Sequence, residues 1–333
     1  MRSNANLISP DAYAINSCVD FRSLDGANVT ISGVTGLLGT HLLASLMIAK
    51  ETLNLKLNVS GLCHSNPPDY TSAIASRGGF VLRNSLPYRS DVIIHAAGYA
   101  QPSVFLAEPA ETIRLNTELT QDLLKSLTRG GRFLFVSSSE VYSGLTGVVN
   151  ESQIGTTNPY HPRSCYIEGK RCGEAICNAF YKFGIEAKSA RLSLAYGPGT
   201  RQGDKRAMSQ FIEQALTTGV IRMNYSGRER RTFCYIRDAV ETLWQICLHG
   251  TQQVYNVGSP VTATMYDVVQ LIAKQTNSIV RGYGTEEELP GSPEGAQMSI
   301  DLAEKEFRKD YYVDLEEGVR RTIKWQESFH HAV

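Results

Sequence analysis

The chain has 333 residues, 33 of them basic and 33 acidic, and 42% of its residues are hydrophobic. This length is enough for one large or two modest domains with a buried core. The balanced charge gives no electrostatic reason to expect nucleic acid or an anionic membrane surface as a partner. No apolar run approaches the ~20 residues of a membrane span, and residues 1–10 lack the pattern of a signal peptide. We therefore predict a cytoplasmic protein.

Seven cysteines are scattered along the chain, at positions 18, 63, 165, 172, 177, 234 and 247. Their number is odd, and their spacing does not match that of a zinc site. We predict free and mostly buried thiols, as a reducing cytoplasm favours, and no bound metal.

The predicted elements begin with a short covering helix over residues 10–24, with Ser9 as its cap and Pro10 in its first turn. From residue 28 onward, short apolar runs alternate with helical patterns, which is typical of a parallel sheet covered on both faces. The predicted strands cover 29–32, 57–62, 91–95, 132–137 and 186–192, and the predicted helices cover 36–50, 111–127 and 166–183. After about residue 193 the alternation loosens, with loops near 197–206, 223–231 and 282–297 and helices near 264–275 and 314–326. This pattern predicts a smaller lobe on the carboxyl edge of the sheet, where open α/β sheets bind ligands.

Three glycines, Gly33, Gly36 and Gly39, follow the first predicted strand. In a strand–turn–helix unit the first glycine permits the tight turn, and the second lets backbone N–H groups approach a pyrophosphate. The third lets the helix pack closely on the strand. Because the triplet stands at the first strand–helix junction, we predict that it binds a dinucleotide rather than forming a plain packing turn.

The second predicted strand leads into Cys63, His64 and Ser65. An acidic residue at this point would favour NAD, and an arginine would favour NADP. None of the three residues is acidic or an arginine, so this segment leaves the phosphate state of the cofactor open.

Tyr166 and Lys170 lie on one face of a predicted helix, at positions i and i+4. A lysine ammonium beside a phenol stabilises the phenolate and can lower the pKa of the phenol toward neutrality. A phenolate can take the proton of a sugar hydroxyl while hydride leaves the sugar carbon for a nicotinamide. The alternative is a solvated helix face. The serine-rich end of the strand at 136–143 favours the catalytic interpretation, because it supplies hydroxyls and the carboxylate of Glu140. The alternatives for this segment are that Ser137 only caps the strand and that Glu140 is merely exposed to solvent.

Together these motifs resemble the extended short-chain dehydrogenase/reductase family, the nucleotide-sugar epimerases and dehydratases, over about residues 28–328. The motifs are Gly33-x-x-Gly36-x-x-Gly39, Ser138-Ser-Glu-Val-Tyr142 and Tyr166-x-x-x-Lys170. Stretches 108–117, 162–171 and 231–235 are most similar to the branch of UDP-glucuronate decarboxylases and their relatives.

The resemblance implies a role for each matching residue. Tyr166 is expected to be the general base, Lys170 its electrostatic partner and a ligand of the nicotinamide ribose, and Ser138 the hydroxyl that orients the substrate. Glu140 matches a catalytic glutamate of the family's dehydratases and decarboxylases. The implied substrate-binding residues are Ser138, Ser139 and Arg231, the last a ligand of the sugar-nucleotide diphosphate. The implied cofactor-binding residues are Gly33, Thr35, Gly36, Leu37, Leu38, Gly39, His64, Ala96, Ala97, Gly98, Asn116, Tyr166, Lys170 and Pro198.

The fold that the resemblance implies is α/β, a Rossmann-type doubly wound parallel sheet with a smaller C-terminal substrate-binding lobe. We expect an N-terminal helical extension over residues 1–27 and an NAD(P)-binding domain over 28–192. Residues 193–333 then form mainly the substrate-binding lobe, with about 233–262 returning to the NAD(P)-binding domain. In relatives, helices corresponding to 111–127 and 166–183 pair across a two-fold axis, so we expect a homodimer. Its apolar stripe would be Ile113, Leu119, Leu123 and Leu127, although the same stripe could simply pack on the sheet.

Three positions depart from the family pattern. The acidic ribose ligand is absent, and Leu194 replaces an asparagine that often precedes the Tyr-Gly-Pro loop. The arginine that decarboxylases carry just before Ser299 is also absent, since Ala296 and Gln297 stand in that segment. We therefore predict that the protein is not an efficient glucuronate decarboxylase, unless an arginine of the loop at 197–206 reaches across.

The function we predict is oxidation of a nucleotide-diphosphate sugar at C4 by bound NAD or NADP, with NAD favoured. The resulting ketone acidifies the C5 proton, where Glu140 can act, so the net reaction is 4,6-dehydration or epimerisation. The alternatives are decarboxylation of the UDP-glucuronate type, 4-ketoreduction, or a non-catalytic dinucleotide sensor on the same fold. Such sensors commonly lose the tyrosine–lysine pair, which this chain retains.

Overall fold

The computed structural model describes residues 4–86, 89–223, 226–228, 230–283 and 296–330. Its strands are β1 (Asn28–Ser32), β2 (Asn58–Leu62), β3 (Val81–Arg83), β4 (Ser90–His95), β5 (Leu127–Ser138), β6 (Gly147–Val149), β7 (Glu186–Leu192), β8 (Leu194–Tyr196), β9 (Val220–Met223), β10 (Arg230–Tyr235), β11 (Val254–Val257), β12 (Thr262–Thr264), β13 (Ile279–Tyr283) and β14 (Ala296–Met298). Its helices are α1 (Ala5–Cys18), α2 (Leu37–Leu53), α3 (Asp69–Gly78), α4 (Pro102–Phe105), α5 (Pro109–Asn116), α6 (Glu118–Lys125), α7 (Ser164–Tyr181), α8 (Ala207–Thr218), α9 (Ile236–His249), α10 (Met265–Thr276), α11 (Asp301–Phe307) and α12 (Leu315–His330).

Seven parallel strands form the central sheet, in the order β3-β2-β1-β4-β5-β7-β11. The chain moves outward from β1 to β3 on one side and from β4 to β11 on the other, so the order reverses between β1 and β4. Ser32 at the end of β1 pairs with His95 at the end of β4. In open α/β sheets the crevice outside such a switch point is where ligands bind.

Helices cover both faces of this sheet, and the central strands β1, β4, β5 and β7 are mostly buried on both sides. Ile94 and Leu134 belong to the large core cluster shared with α2 and α9, whereas Ile93 and Phe133 belong to a second cluster shared with α6 and α7. Successive side chains of β4 and β5 therefore point to opposite helical layers, as the two-residue period of a strand requires. The predicted class, an α/β doubly wound parallel sheet, is confirmed.

Smaller sheets lie beyond the central one. β8, β10 and β12 form a three-stranded sheet, β9 pairs with β13, and β6 pairs with β14. β11 returns to the edge of the central sheet beside β7, and α9 packs against β5 and β7. None of the helices in the described ranges has the length and apolar character needed to cross a membrane.

The first helix differs from its prediction. It begins at Ala5, not at Pro10, and ends at Cys18, so Pro10 lies inside it and Ser9 is not its cap. The Ser9 hydroxyl donates instead to the Ala5 carbonyl at 3.1 Å. A proline inside a helix removes one backbone hydrogen bond, but packing of the fully buried Ile8 and Ile15 against the core compensates here.

Other boundaries also differ from the sequence pattern. The predicted helix over 111–127 is two helices, α5 and α6, that meet at Thr117. The pattern does not predict α3, α4, α8, α9 or α11. Of the predicted loops, the one at 223–231 ends earlier because β10 begins at Arg230, and most of the one at 282–297 lies outside the described residues.

All seven cysteines are free, and four of them are buried. The described part of the chain holds no group of three or more His, Cys, Asp or Glu side chains arranged to bind a metal ion.

Candidate active site

The three glycines after β1 have three different environments. Gly33 has a φ of +75°, and a Cβ added to it would lie 2.7 Å from the Ala96 carbonyl oxygen. A Cβ on Gly39 would overlap the Gly33 carbonyl. Gly36 is different, because its Cβ would meet only Gly33 O, at 3.4 Å. The first and third glycines are therefore required by the turn and by helix packing, whereas the second leaves open the space in front of the helix.

Gly36 is also the N-cap of α2, a helix of 17 residues, and no side chain caps its first turn. Unsatisfied N–H groups and the positive end of the helix dipole favour an anion at this point. The turn is therefore suited to a pyrophosphate.

His95 fixes the neighbouring turn at the end of β4. Its Nε2 lies 3.0 Å from the Leu115 carbonyl, and its Nδ1 lies 2.7 Å from the Ser32 hydroxyl. Burial, together with the charge of Lys170, lowers the pKa of His95 to about 3, so the ring is neutral at physiological pH. Because a carbonyl can only accept, Nε2 carries the proton and Nδ1 accepts from Ser32. The Ser32 oxygen is then free to accept the Ala97 N–H at 3.3 Å.

Asn116 points a polar atom toward the same turn. Its Nδ2 donates to the Thr112 carbonyl at 2.7 Å, while its buried Oδ1 has no hydrogen-bond partner among the described residues. A Cβ on Gly98 would lie 3.6 Å from Lys170 Nζ and 3.9 Å from Asn116 Oδ1. The unpaired Asn116 Oδ1, the Lys170 amine and the Gly98 backbone therefore lie close together. This arrangement suits a ligand with hydroxyl groups, such as a ribose.

Tyr166 is buried, and its ring stacks on Phe105 with centroids 4.8 Å apart. Burial and the charge of Glu140 raise the pKa of Tyr166 to about 12. A hydrogen bond with Ser138 and the charges of Arg163 and Arg206 act in the opposite direction. The structure thus brings the predicted base and the predicted substrate-orienting hydroxyl together.

Lys170 lies below Tyr166 on the same face of α7. Its Nζ donates to the Val136 carbonyl at 2.8 Å and lies 5.8 Å from the centre of the Tyr166 ring. Burial lowers the pKa of Lys170 to about 7, which nearby Glu174 partly opposes. In this structure the pKa of Tyr166 is raised rather than lowered toward neutrality, because desolvation of the phenolate outweighs the opposing effects of Ser138, Arg163 and Arg206.

Glu140 forms a buried ion pair with Arg163. Arg163 Nε donates to Glu140 Oε2 at 2.9 Å, and Arg163 Nη2 donates to Oε1. The side chains are 9% and 14% exposed, so the alternative of a solvent-exposed glutamate is wrong. The Arg163 guanidinium also lies 5.1 Å from the centre of the Phe105 ring, which places it beside Tyr166.

A second buried ion pair supports the strand end that carries Ser138. Ser137 donates to Glu174 at 2.5 Å, and Glu174 is held by Arg191 in turn, at 2.8 Å. Arg191 Nη1 also donates to the Tyr142 hydroxyl at 2.8 Å. Ser137 is therefore tied to α7, the helix of Tyr166 and Lys170, rather than acting as a cap of its own strand.

The remaining predicted residues lie on other elements of the fold. Pro198 lies in the loop after β8, where its carbonyl contacts His41. Arg231 lies on β10, opposite Ala263. His64 follows β2 and is exposed. Of the other predicted positions, Thr35 lies in the glycine turn, Leu37 and Leu38 begin α2, Ala96 follows β4, and Ser139 lies in the single turn after β5.

Sequence reasoning does not identify Phe105 and Arg163 as parts of this site, whereas Arg206 belongs to the loop at 197–206 that it names as a possible source of an arginine. Arg163 stands three residues before Tyr166, in a stretch that carries the resemblance to decarboxylases, and this was the one available signal. Arg206 pairs with Asp204 at 2.9 Å, and its charge acts on the Tyr166 phenol.

Comparison with known families gives one match over most of the chain. Residues 29–258 match the model of the NAD dependent epimerase/dehydratase family. UDP-glucuronic acid decarboxylase 1 of Danio rerio is 30% identical over 312 residues, which cover 90% of this chain and 73% of that protein. UDP-glucuronic acid decarboxylase 5 of Arabidopsis thaliana is 30% identical over 299 residues, covering 87% and 86%.

Two solved structures share the fold. UDP-glucuronic acid 4-epimerase from Bacillus cereus, in complex with UDP-glucuronic acid and NAD, gives a TM-score of 0.74 at 21% identity, over 91% of this chain and 99% of that one. A dTDP-glucose 4,6-dehydratase from Streptomyces venezuelae gives a TM-score of 0.78 at 18% identity, over 90% and 97%. The resemblance drawn from the sequence motifs is confirmed.

Proposed function

Because the chain belongs to the NAD dependent epimerase/dehydratase family, we propose that it is an enzyme that modifies nucleotide sugars through transient oxidation at C4. The observation that carries this proposal is the meeting of Tyr166, Ser138 and Lys170 at the carboxyl edge of the sheet. The glycine turn of α2 lies at the same edge.

The residues of the glycine turn and the unpaired Asn116 Oδ1 fit a nicotinamide dinucleotide. Gly36 and the first N–H groups of α2 would hold its pyrophosphate, and Asn116 with Lys170 would hold a ribose. When bound, the nicotinamide supplies a hydride acceptor for the sugar carbon C4 and can later return the hydride.

Tyr166 then acts as the base for the sugar C4 hydroxyl. Ser138 orients that hydroxyl by hydrogen bonding, and the Tyr166 phenol has to lose its own proton before it can accept another. The charges of Arg163 and Arg206 favour this loss. The buried position of Tyr166 keeps competing water away from the reacting oxygen.

Glu140 is the candidate for proton transfer at C5, which the C4 ketone acidifies. It can act there only after its hydrogen bonds to Arg163 are broken or shared with the substrate. With such a base the net reaction is 4,6-dehydration or epimerisation, and this remains our leading assignment.

Decarboxylation is the second candidate. It is favoured by the 30% identity to UDP-glucuronic acid decarboxylases and by the Arg163 cation beside the catalytic tyrosine. A plain 4-ketoreductase would retain the same Tyr166, and a non-catalytic sensor would not need it.

The proposal is tested by incubating the purified protein with UDP-, GDP-, CDP- and dTDP-sugars and either dinucleotide, followed by mass spectrometry. Loss of water indicates dehydration, and loss of carbon dioxide indicates decarboxylation. An unchanged mass with altered chromatography indicates epimerisation, and steady NADPH consumption indicates reduction. No conversion of any sugar nucleotide would overturn the proposal.

We further propose a homodimer formed through α5, α6 and α7. Ile113 on α5 is 46% exposed and available to a partner, whereas Leu119, Leu123 and Leu127 pack on the protein's own core. Light scattering at micromolar concentration should show a dimer that Ile113→Glu weakens. Ile279→Glu, at an exposed isoleucine on β13, is the control, and a monomeric wild type would refute the dimer.

We also propose that residues 28–192 and about 233–262 bind the dinucleotide, that the rest of 193–333 binds the sugar nucleotide, and that 1–27 is a covering extension. The pairing of β11 with β7 supports this division. The unpaired cysteines support a cytoplasmic location.

A further inference from the structure

The loop after β8 is fastened to the rest of the molecule by three consecutive carbonyl groups. The Pro198 carbonyl accepts from His41 Nε2 at 2.8 Å, and the Gly199 carbonyl accepts from the Tyr70 hydroxyl at 3.3 Å. The Thr200 carbonyl accepts from Trp325 Nε1 at 2.7 Å. The three donors belong to α2, α3 and α12 and are all buried. The next residue, Arg201, therefore starts from a fixed position.

Arg201 extends from this loop back over the glycine turn. Its Nε donates to the Thr35 carbonyl at 2.9 Å, and its Nη2 donates to the Ser65 hydroxyl at 3.2 Å. Thr35 lies between the first two glycines of the turn, and Ser65 lies just after β2. No carboxylate pairs with Arg201 in the part of the chain that the structure describes. The guanidinium thus spans the gap between the turn and the end of β2 with its charge uncompensated.

In this type of sheet, the end of β2 beside the glycine turn is where the adenosine ribose of a dinucleotide lies. An acidic residue there accepts the ribose 2′-hydroxyl of NAD, and an arginine accommodates the 2′-phosphate of NADP. Here Cys63, His64 and Ser65 provide no carboxylate. Arg83 is the last residue of β3 and lies opposite Leu62 of β2. Its buried Nε has no hydrogen-bond partner among the described residues.

We propose that Arg201, together with Ser65, binds the 2′-phosphate of NADP, and that the protein selects NADP over NAD. The proposal rests on the dinucleotide binding proposed above. A phosphate monoester with a charge of about −1.5 to −2 at neutral pH would replace the Ser65 hydroxyl as the partner of the Arg201 fork, which matches phosphate oxygens in a bidentate manner. The ribose 2′-hydroxyl of NAD carries no phosphate, and this site has no carboxylate to accept that hydroxyl.

Calorimetric titration of the full chain with NADP and with NAD tests this without any substrate or turnover. We expect NADP to bind about tenfold to a hundredfold more tightly, the range for charge-assisted hydrogen bonds. Arg201→Met should remove this preference by weakening NADP binding, while NAD affinity changes less than about threefold. Lys205→Met removes an exposed charge from the same loop and should leave the preference intact.

The fragments 2′,5′-ADP and 5′-AMP separate this site from the pyrophosphate turn. Tighter binding of 2′,5′-ADP to wild type, lost in Arg201→Met, supports the 2′-phosphate assignment. Equal affinities for NAD and NADP, or an equal loss of both in Arg201→Met, would overturn it while leaving dinucleotide binding in place. If neither dinucleotide binds, the proposed function fails together with this inference.

Discussion

Arg163 donates two hydrogen bonds to the carboxylate of Glu140, and both side chains are almost completely buried beside Tyr166. The Phe105 ring stacks on the ring of Tyr166, and its centre lies 5.1 Å from the Arg163 guanidinium. The ion pair holds Glu140 near the reacting centre and at the same time occupies both of its oxygens. Proton transfer by Glu140 therefore requires that this pair be opened or shared.

Breaking this pair from one side should destabilise the fold. In Glu140→Gln or Arg163→Met, one buried charge loses its partner, at a cost of about 3–5 kcal/mol in the free energy of unfolding. The double variant removes both charges and should be more stable than the sum of the single effects predicts. Urea denaturation of all four proteins measures this coupling, and strictly additive losses would show that the two side chains do not interact.

Tyr166→Phe should lower turnover by about 10²-fold or more, the usual scale for loss of a general base. The phenyl ring preserves the stacking on Phe105, so dinucleotide affinity should stay within a few-fold of wild type. Tyr160→Phe is the matched control, because Tyr160 is 95% exposed and its hydroxyl has no place in the mechanism. Near-normal turnover in Tyr166→Phe would remove this residue from the mechanism.

The glycine turn allows ligand approach and folding to be separated. Gly36→Val should fold, because its Cβ meets only Gly33 O at 3.4 Å, but its side chain should prevent the close approach of a pyrophosphate. Gly39→Ala should instead impair folding, because its Cβ would overlap the backbone of Gly33. Circular dichroism and dinucleotide titration distinguish the two variants. A folded Gly36→Val protein with unchanged affinity would contradict this placement of the cofactor.

His95 should make stability depend on pH. The pKa of His95 is about 3 in the folded protein, against 6.5 without the environment of the fold. Below pH 6.5 the unfolded chain therefore binds a proton that the folded chain excludes, and the stability from neutral His95 declines progressively down to about pH 3. Between pH 7 and pH 4.5 this loss is about 2–3 kcal/mol. His95→Gln keeps a donor for Leu115 and should show a shallower decline in denaturant titrations, and an unchanged decline would contradict the assignment.

The sequence predicts the sheet and the catalytic pair well, because both depend on local patterns. β7 has the bounds that its apolar run indicates, and the spacing of Tyr166 and Lys170 places both on one helix face. α9 is not predicted from the sequence, although Arg237, Asp238 and Glu241 recur at helical spacing in it. This polar stripe is itself buried, where Asp238 and Glu241 pair with Lys309, and that contact is not encoded by a local pattern. Contacts such as Glu140 with Arg163 and Ser65 with Arg201 join distant parts of the chain, and no local pattern encodes them.

The last prediction is slow decarboxylation of UDP-glucuronate. Loss of the C5 carboxylate needs a site that accepts an anion and then protonates the resulting enolate, and a nearby fixed cation assists both steps. Where decarboxylases carry an arginine, this chain has Ala296 and the exposed Gln297, on a strand paired with β6. Arg201 is directed to Thr35 and Ser65, and Arg206 is held by Asp204.

Carbon dioxide release from UDP-glucuronate with NAD or NADP should therefore be much slower than conversion of the sugar nucleotide that the protein processes best. The comparison uses one enzyme preparation and both dinucleotides, so that the choice of cofactor cannot limit the result. Because the Arg206 charge also acts on Tyr166, release by Arg206→Met is compared with conversion of the preferred sugar nucleotide by the same variant, and the ratio should match that of wild type. Fast release by wild type would contradict the prediction, and a selective loss of release in Arg206→Met would identify Arg206 as the source of the cation.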